Sequence, residues 1–409
     1  MSIVQCDLII ENGIVLDEAN EINEVPLNVA VKDGKVLDVF DPKVNTCIYK
    51  AQEKYDASGC YVTPGLIDVH VHCYEHVTAL GINPDDACLA RGVTTVVDAG
   101  SAGCGTFKGL RKFIMEKNWT RVLALLHISS YGLAAAGCSA DANGGELDSL
   151  NHVQLDDCVK CIEENRDVIV GIKIRLSESI SNAGANEEEA YRRALAASQR
   201  TKLPLMVHHS ISSIPLAKDC NPKLSCPGDL RVGDMYTHTF HGHKSTIVDF
   251  DQNILHPVIH KSRQNGVLFD VGHGQGSFSW KVSDVARKEG FFPDLISTDL
   301  HSLSLDGPAY DLVTVMSKFL HIGMSLYDVV RAVTSQAAAA IGWSEVIGSL
   351  GKGKLADITV LRLEKGEFIL EDCEDSFRTC NQLLQPVAVW KGGVTFPIKP
   401  GNIKGTMKK

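Results

Sequence analysis

Eight short apolar runs between residues 65 and 302 start 27 to 47 residues apart, and this rhythm constrains the fold more than any other feature of the chain. They are GLIDVHVH (65–72), TTVVDAG (94–100), RVLALLHIS (121–129), VIVGIKIRLS (168–177), LPLMVHHS (203–210), GDMYTHTF (233–240), GVLFDVGHG (266–274) and DLISTDLHS (294–302). Near-continuous apolar runs of this length are what buried parallel strands look like, because both faces of such a sheet are covered. Amphipathic stretches lie between most of them, among them DDCVKCIEENR, NEEEAYRRALAASQRTK and DLVTVMSKFLHIG. Eight strands alternating with helices predict an α/β fold, a (β/α)8 TIM barrel over residues 62–349. SLYDVVRAVTSQAAAAIG (325–342) reads as one further helix leading out of it.

The two ends have another rhythm. CDLIIENGIVLD, PLNVAVKDGKVLDVF and GCYVTPG alternate apolar and polar residues, and Asn-Gly and Asp-Gly pairs mark turns between them. LADITVLRL, GEFILED and PVAVWKGGVTF repeat the pattern at the other end. Neither end can bury a core alone. The expectation is a small β-sandwich domain built by both termini, residues 1–61 and 350–409, into which the barrel is inserted.

Charge narrows the partners. The chain has 409 residues with 40 Lys and Arg against 50 Asp and Glu, a net charge of -10. Nucleic acid and anionic membranes need basic surfaces and are not expected. No run approaches the ~18 apolar residues of a membrane span. The start, MSIVQCDLIIENG, is too short and too acidic for a secretory signal, so a cytoplasmic protein is expected. Thirteen scattered cysteines then read as reduced and mostly buried. Cys158 and Cys161 form a lone Cys-x-x-Cys within a helical segment, with no second pair to complete a zinc site.

In such barrels the active site lies at the C-terminal ends of the strands. Those ends carry His70 and His72, Lys173, His208, His238, His273 and Asp299, which are metal-binding and acid–base residue types. His70 and His72 are two apart on a strand and share a face, so they can hold one divalent cation. Lys173 sits in an otherwise apolar strand, where a bare ammonium is costly. It could be an ion-paired core residue, a Schiff-base nucleophile, or a carbamate formed with carbon dioxide. The carbamate explains most, since it is anionic and can bridge two cations among the histidines. His209 alternates outward and reads as structural. His241 and His243 lie in a loop, and His301 shares the face of Asp299. Arg175 shares the face of Lys173 and is either a clamp for a substrate carboxylate or a structural ion pair. His273 opens a glycine-rich loop, GHGQGSFS, from which it could bind substrate or orient Asp299.

Together these residues resemble the amidohydrolase superfamily over nearly the whole chain. PGLIDVHVH resembles its first-strand metal motif. GIKIRLS, PLMVHH, DMYTHTFHG, FDVGHGQGSFS and ISTDLHS resemble later strand motifs of its dihydroorotase-like amidohydrolase/deacetylase branch, and LGKGKLADITVL its return strand. The resemblance implies one metal on His70, His72 and Asp299. It implies a second on His208 and His238, with carboxylated Lys173 bridging the two. Zinc is the default for imidazole and carboxylate-type oxygen. The implied reaction is hydrolysis of an amide or ester of a small, carboxylate-bearing substrate by a hydroxide shared between the metals, with Asp299 moving the proton. Such barrels commonly associate, so a homo-oligomer is compatible. Two alternatives differ in class. A mononuclear deaminase of the same superfamily would place a His-x-x-Glu after strand 5, where this chain has HHSISSIP. A non-catalytic amidohydrolase-like scaffold would have lost ligands, and none is missing here.

Overall fold

The computed structural model describes residues 3–44, 48–134, 144–218, 223–399 and 401. The five leading strands are β1 (Ile3–Asp17), β2 (Ile22–Lys32), β3 (Lys35–Phe40), β4 (Ile48–Asp56) and β5 (Tyr61–Pro64). The barrel strands follow as β6 (Leu66–Val71), β7 (Val93–Gly103), β8 (Arg121–His127), β9 (Ile169–Leu176), β10 (Leu205–His209) and β11 (Met235–Thr237). A two-strand ladder, β12 (Val248–Asp249) and β13 (Ile254–Leu255), precedes the seventh barrel strand, β14 (Leu268–Phe269). The chain closes with β15 (Ile358–Glu371), β16 (Phe377–Lys391) and β17 (Val394–Phe396).

Seven strands form one parallel sheet in the order β14-β11-β10-β9-β8-β7-β6. The expected eighth strand closes the ring without regular pairing. Residues 294–300 make one parallel bridge to each edge, Asp270 with Leu295 and Val71 with Leu300. Asp68 of β6 pins this segment, accepting hydrogen bonds from the Thr298 backbone N–H at 3.1 Å and its hydroxyl at 2.6 Å. The positions of all eight runs thus agree with the rhythm of the sequence.

Helices Leu155–Glu164, Glu187–Thr201 and Leu312–Ile322 fall where amphipathic periodicity placed them. The single helix expected at 325–342 is instead two, Leu326–Ala332 and Ser335–Ala340. The break has a use, because the Val333 carbonyl accepts the Ile67 N–H of the barrel at 2.8 Å.

Strands from both termini join in one eight-stranded sheet. Its core draws on both ends: Ile10, Val15, Val29 and Val62 pack with Ile358, Val360 and Trp390. Asp33-Gly34 makes the turn between β2 and β3. Asn12-Gly13 does not make a turn. It is a bulge inside β1, where a Cβ on Gly13 would meet Val62 Cγ2 at 2.3 Å. Beyond the bend near residue 366, the β15–β16 hairpin lies against the barrel, where Phe368, Leu370, Leu383 and Leu384 join its core. Asp357 ties sheet to barrel, accepting from Arg121 of β8 at 2.6 Å and Lys391 of β16 at 2.7 Å. Among the described residues no helix is long and apolar enough to cross a membrane.

Candidate metal centre

Five strand ends deliver six side chains, His70, His72, Lys173, His208, His238 and Asp299, to one cavity of about 120 Å³, also lined by Leu80, Ala99, His127, Leu133, Arg175 and His301. Asp299 Oδ1 lies 3.3 Å from His70 Nε2 and 3.0 Å from His72 Nε2. Lys173 Nζ is 3.0 Å from His70 Nε2. The rings of His208 and His238 are 4.2 Å apart between centroids, and those of His70 and His238 5.1 Å. Ligand atoms of His70, His238 and Asp299 all lie within 4.8 Å of one another, a spacing that one cation can span.

The surroundings decide where the ring protons sit. His238 Nδ1 lies 2.6 Å from the Gly272 carbonyl, which can only accept, so Nδ1 carries the proton and Nε2 offers its lone pair to the cavity. His70 Nδ1 lies 3.0 Å from Thr237 Oγ1, and that hydroxyl gives its own proton to Asp270 Oδ2 at 2.6 Å. Its remaining role toward His70 is acceptor, so Nε2 of His70 is again unprotonated. His72 Nδ1 is held by Ser101 Oγ at 3.0 Å. Orientation through the second ring nitrogen is how metal-ligating histidines are usually fixed.

Burial sets the charges. It pushes His70 and His208 well below the ordinary imidazole value, with cationic neighbours adding to the effect, and His238 down to about 4. These rings are neutral at physiological pH, as metal ligands must be. Burial also brings Lys173 down to about 8, so the unprotonated amine is far more abundant near neutrality than in an exposed lysine. His238 and Asp299 both have positive φ, +64° and +47°. Non-glycine residues adopt such angles at a cost and tend to do so at functional sites. Close approach also demands glycine at position 274, where a Cβ would lie 2.4 Å from Asp299 Oδ2.

Other expected residues sort differently. Arg175 lines the cavity, but its Nε and Nη2 are held by buried Glu146 at 2.6 and 2.8 Å, which is the ion-pair alternative. His273 is not brought into the cavity. Its Nδ1 is turned to the Gly274 carbonyl at 2.9 Å, its Nε2 takes a hydrogen bond from buried Lys318 at 2.7 Å, and its ring stacks on Phe278. Lys318 therefore leaves it no ring atom for a substrate. His209 points away from the centre, toward Tyr236 and the Ile214 carbonyl, as alternation along β10 requires. His241 is buried against the His209 carbonyl, whereas His243 contacts the Gly276 carbonyl at the surface. Cys158 and Cys161 are free thiols whose pKa burial raises. Cys47, Cys138 and Cys220 lie outside the described residues.

Sequence reasoning missed His127, Glu146 and the Thr237–Asp270 pair. For His127 a signal existed, since it is the one polar side chain ending an apolar strand, RVLALLH, just as the candidate ligands do.

A parallel eight-membered barrel with a histidine, carboxylate and lysine cluster at its strand ends defines the class of α/β-barrel hydrolases built to hold divalent metals. The sequence profile of the amidohydrolase family matches residues 279–408. A deacetylase of Brucella anthropi is 34% identical over 334 residues, covering 82% of this chain and 79% of the relative. A deacetylase of Enterococcus faecalis is 32% identical over 392 residues, covering 95% and 98%. Among solved structures, an adenine deaminase superposes with a TM-score of 0.83 at 29% identity over 96% of this chain and 100% of the other. A dihydroorotase does so at 0.81 and 30%, over 96% and 99%. The chain belongs to the amidohydrolase family and is a hydrolase acting on C–N bonds.

Proposed function

We propose that the protein is a binuclear metal-dependent deacylase that cleaves an amide or ester of a small substrate. The observation that carries this reading is the convergence of six side chains from five strand ends on one buried cavity. His70, His72 and Asp299 would hold one cation, His208 and His238 the other, and Lys173, as its carbamate, would bridge them. Two neutral rings with Nε2 lone pairs fixed toward the cavity are the donor set zinc favours. The Lys173 amine adds to carbon dioxide through its unprotonated form and gives up a proton, leaving an anion that relieves the buried positive charge. Bound there, the cations would bring the pKa of water to about 7 and polarise the acyl carbonyl. Asp299 takes the proton of the attacking oxygen and passes it to the leaving nitrogen or oxygen. Its backbone, held at positive φ against Gly274, fixes the carboxylate for that transfer.

Arg175 is neutralised by Glu146, so a carboxylate on the substrate is no longer required at that position. The names of the two deacetylase relatives favour an N- or O-acetyl group. We read the two-terminus sheet as a separate β-sandwich domain bounded near residues 61 and 350, supported by its own core. Ten described cysteines are unpaired, which favours the cytoplasm.

The test joins metal analysis to a hydrolysis screen of N-acetyl and O-acetyl amino and hydroxy acids, with their uncharged amides alongside. About two metals per chain and turnover of at least one compound are expected. Lys173→Ala should lose both bridging and activity, and short carboxylates should partly restore them. Full activity in that variant would end the reading. Release of ammonia from purines without acyl hydrolysis would favour a deaminase instead.

A further inference from the structure

His127 ends β8 beside Lys173 of β9, its register partner, and lines the same cavity as the candidate ligands. Its ring is buried. The backbone N–H of Ser129 donates to its Nδ1 at 2.9 Å. An N–H can only donate, so Nδ1 is unprotonated and the proton of the neutral ring is on Nε2. That Nε2 has no hydrogen-bond partner among the described residues. The nearby acceptor, Glu146 Oε1, stands 3.8 Å away and is already engaged by Arg175 at 2.6 Å. A buried donor left unmade is costly, and folded proteins keep few of them. His127 lines the cavity, so this unmade donor stands ready for a ligand atom bound there.

We propose that His127 is a specificity-determining residue whose Nε2–H donates to an uncharged oxygen of the substrate. The inference deepens the acyl-hydrolase reading and rests on it. Charge selects the kind of oxygen. His127 is neutral, Arg175 beside it is balanced by the carboxylate of Glu146, and on the proposed reading the carbamate removes the positive charge of Lys173. A further carboxylate here would be buried without a counter-charge, whereas a carbonyl or hydroxyl oxygen satisfies the donor and adds no charge. Sites built to hydrogen-bond a substrate group discriminate strongly, because an analogue lacking that group leaves the donor unpaired again.

His127→Phe removes the donor and keeps a planar ring, and His127→Gln returns an N–H near the place of Nε2. With the best substrate of the acetyl panel, the Phe variant should fold and carry wild-type metal content but lose about 10²-fold or more in kcat/KM. The Gln variant should recover most of that loss. A folded Phe variant with unchanged kcat/KM overturns the proposal, as does a Gln variant no better than Phe. A second readout does not depend on turnover. Histidine ¹⁵N–¹H correlation spectra of the metal-loaded protein should show His127 as the Nε2–H tautomer, with that signal moving when acetamide is added. An Nδ1–H tautomer, or a signal indifferent to acetamide, refutes the proposal. Wild-type protein that hydrolyses no member of the panel would instead sink the acyl-hydrolase reading, and the spectra would still decide this one.

Discussion

Thr237→Val removes one oxygen atom from the support of the centre and nearly conserves shape. Thr237 is fully buried. Its hydroxyl donates to Asp270 Oδ2 at 2.6 Å and accepts from His70 Nδ1 at 3.0 Å. After the change, Asp270 Oδ2 keeps the Ser297 hydroxyl at 2.8 Å, but the His70 N–H faces only Asp270 Oδ2 at 3.6 Å, too far for a good hydrogen bond. One buried donor is stranded and one carboxylate hydrogen bond is lost, which should cost about 1–3 kcal/mol of stability in the metal-stripped protein. The ring of His70 is also free to rotate or change tautomer. Loss of such support usually lowers metal affinity about 10–100-fold, equivalent to about 1.4–2.8 kcal/mol. Urea unfolding of stripped protein measures the first quantity, and competition with a chromophoric chelator the second. Thr237→Ser, which restores the hydroxyl, should recover most of both. A valine variant that loses stability but binds zinc as tightly as wild type would refute the argument, because His70 would then need no orientation from Thr237.

Two further changes probe the frame around the centre. Asp357→Asn should cost about 3–5 kcal/mol, because it strands Arg121 and Lys391 at a mostly buried junction. Burial raises the Asp357 pKa, but Lys391 and Arg121 outweigh it and hold the carboxyl below its ordinary value. The stability it gives is therefore complete above the unfolded value of about 3.9 and drains away as pH falls through the lower folded value. The gap in urea midpoint between wild type and variant should narrow below about pH 4, and a gap constant down to pH 3 would disprove the linkage. Gly274→Ala places a methyl 2.4 Å from Asp299 Oδ2 at a φ of +50°. Stability should fall by about 1 kcal/mol, whereas kcat/KM should fall about 10²-fold if Asp299 moves the proton as proposed, because the carboxylate is displaced. Equal small losses in both would remove Gly274 from the account.

The barrel was legible because buried parallel strands must be apolar on both faces, which leaves runs that no other element imitates at that spacing. The candidate positions were legible for the same reason, since a polar side chain ending such a run stands out against its apolar neighbours. Glu146 was not legible. It enters from the loop between β8 and β9, and no periodicity in GGELDSL marks it for burial against Arg175. The role of His273 was misjudged because its partner, Lys318, lies 45 residues on, inside a helix whose pattern calls for an apolar residue there. Asn12-Gly13 looked like a hairpin turn because Asn-Gly tolerates positive φ, but a bulge in a long strand asks for the same angle.

One physical cause runs through the candidate centre. Burial of several imidazoles together disfavours every protonated form, and each cationic neighbour disfavours it further. The rings are therefore neutral, but a neutral ring can still present either nitrogen. Acceptors behind the strands, the Gly272 carbonyl and the Thr237–Asp270 pair, settle that choice toward Nε2 lone pairs in His238 and His70. At His127 the relation is reversed: a donor behind the ring, the Ser129 N–H, forces the proton to the cavity side. The same residue type at equivalent strand ends thus faces the cavity as a lone pair in two cases and as an N–H in the third. The first arrangement suits a cation, whereas the second suits an oxygen acceptor and repels a cation. On the proposed reading, the division between metal ligands and substrate contact is set by the groups behind the rings, so exchanging the hydrogen-bonding partner behind a ring should alter its role more than exchanging residues within the cavity.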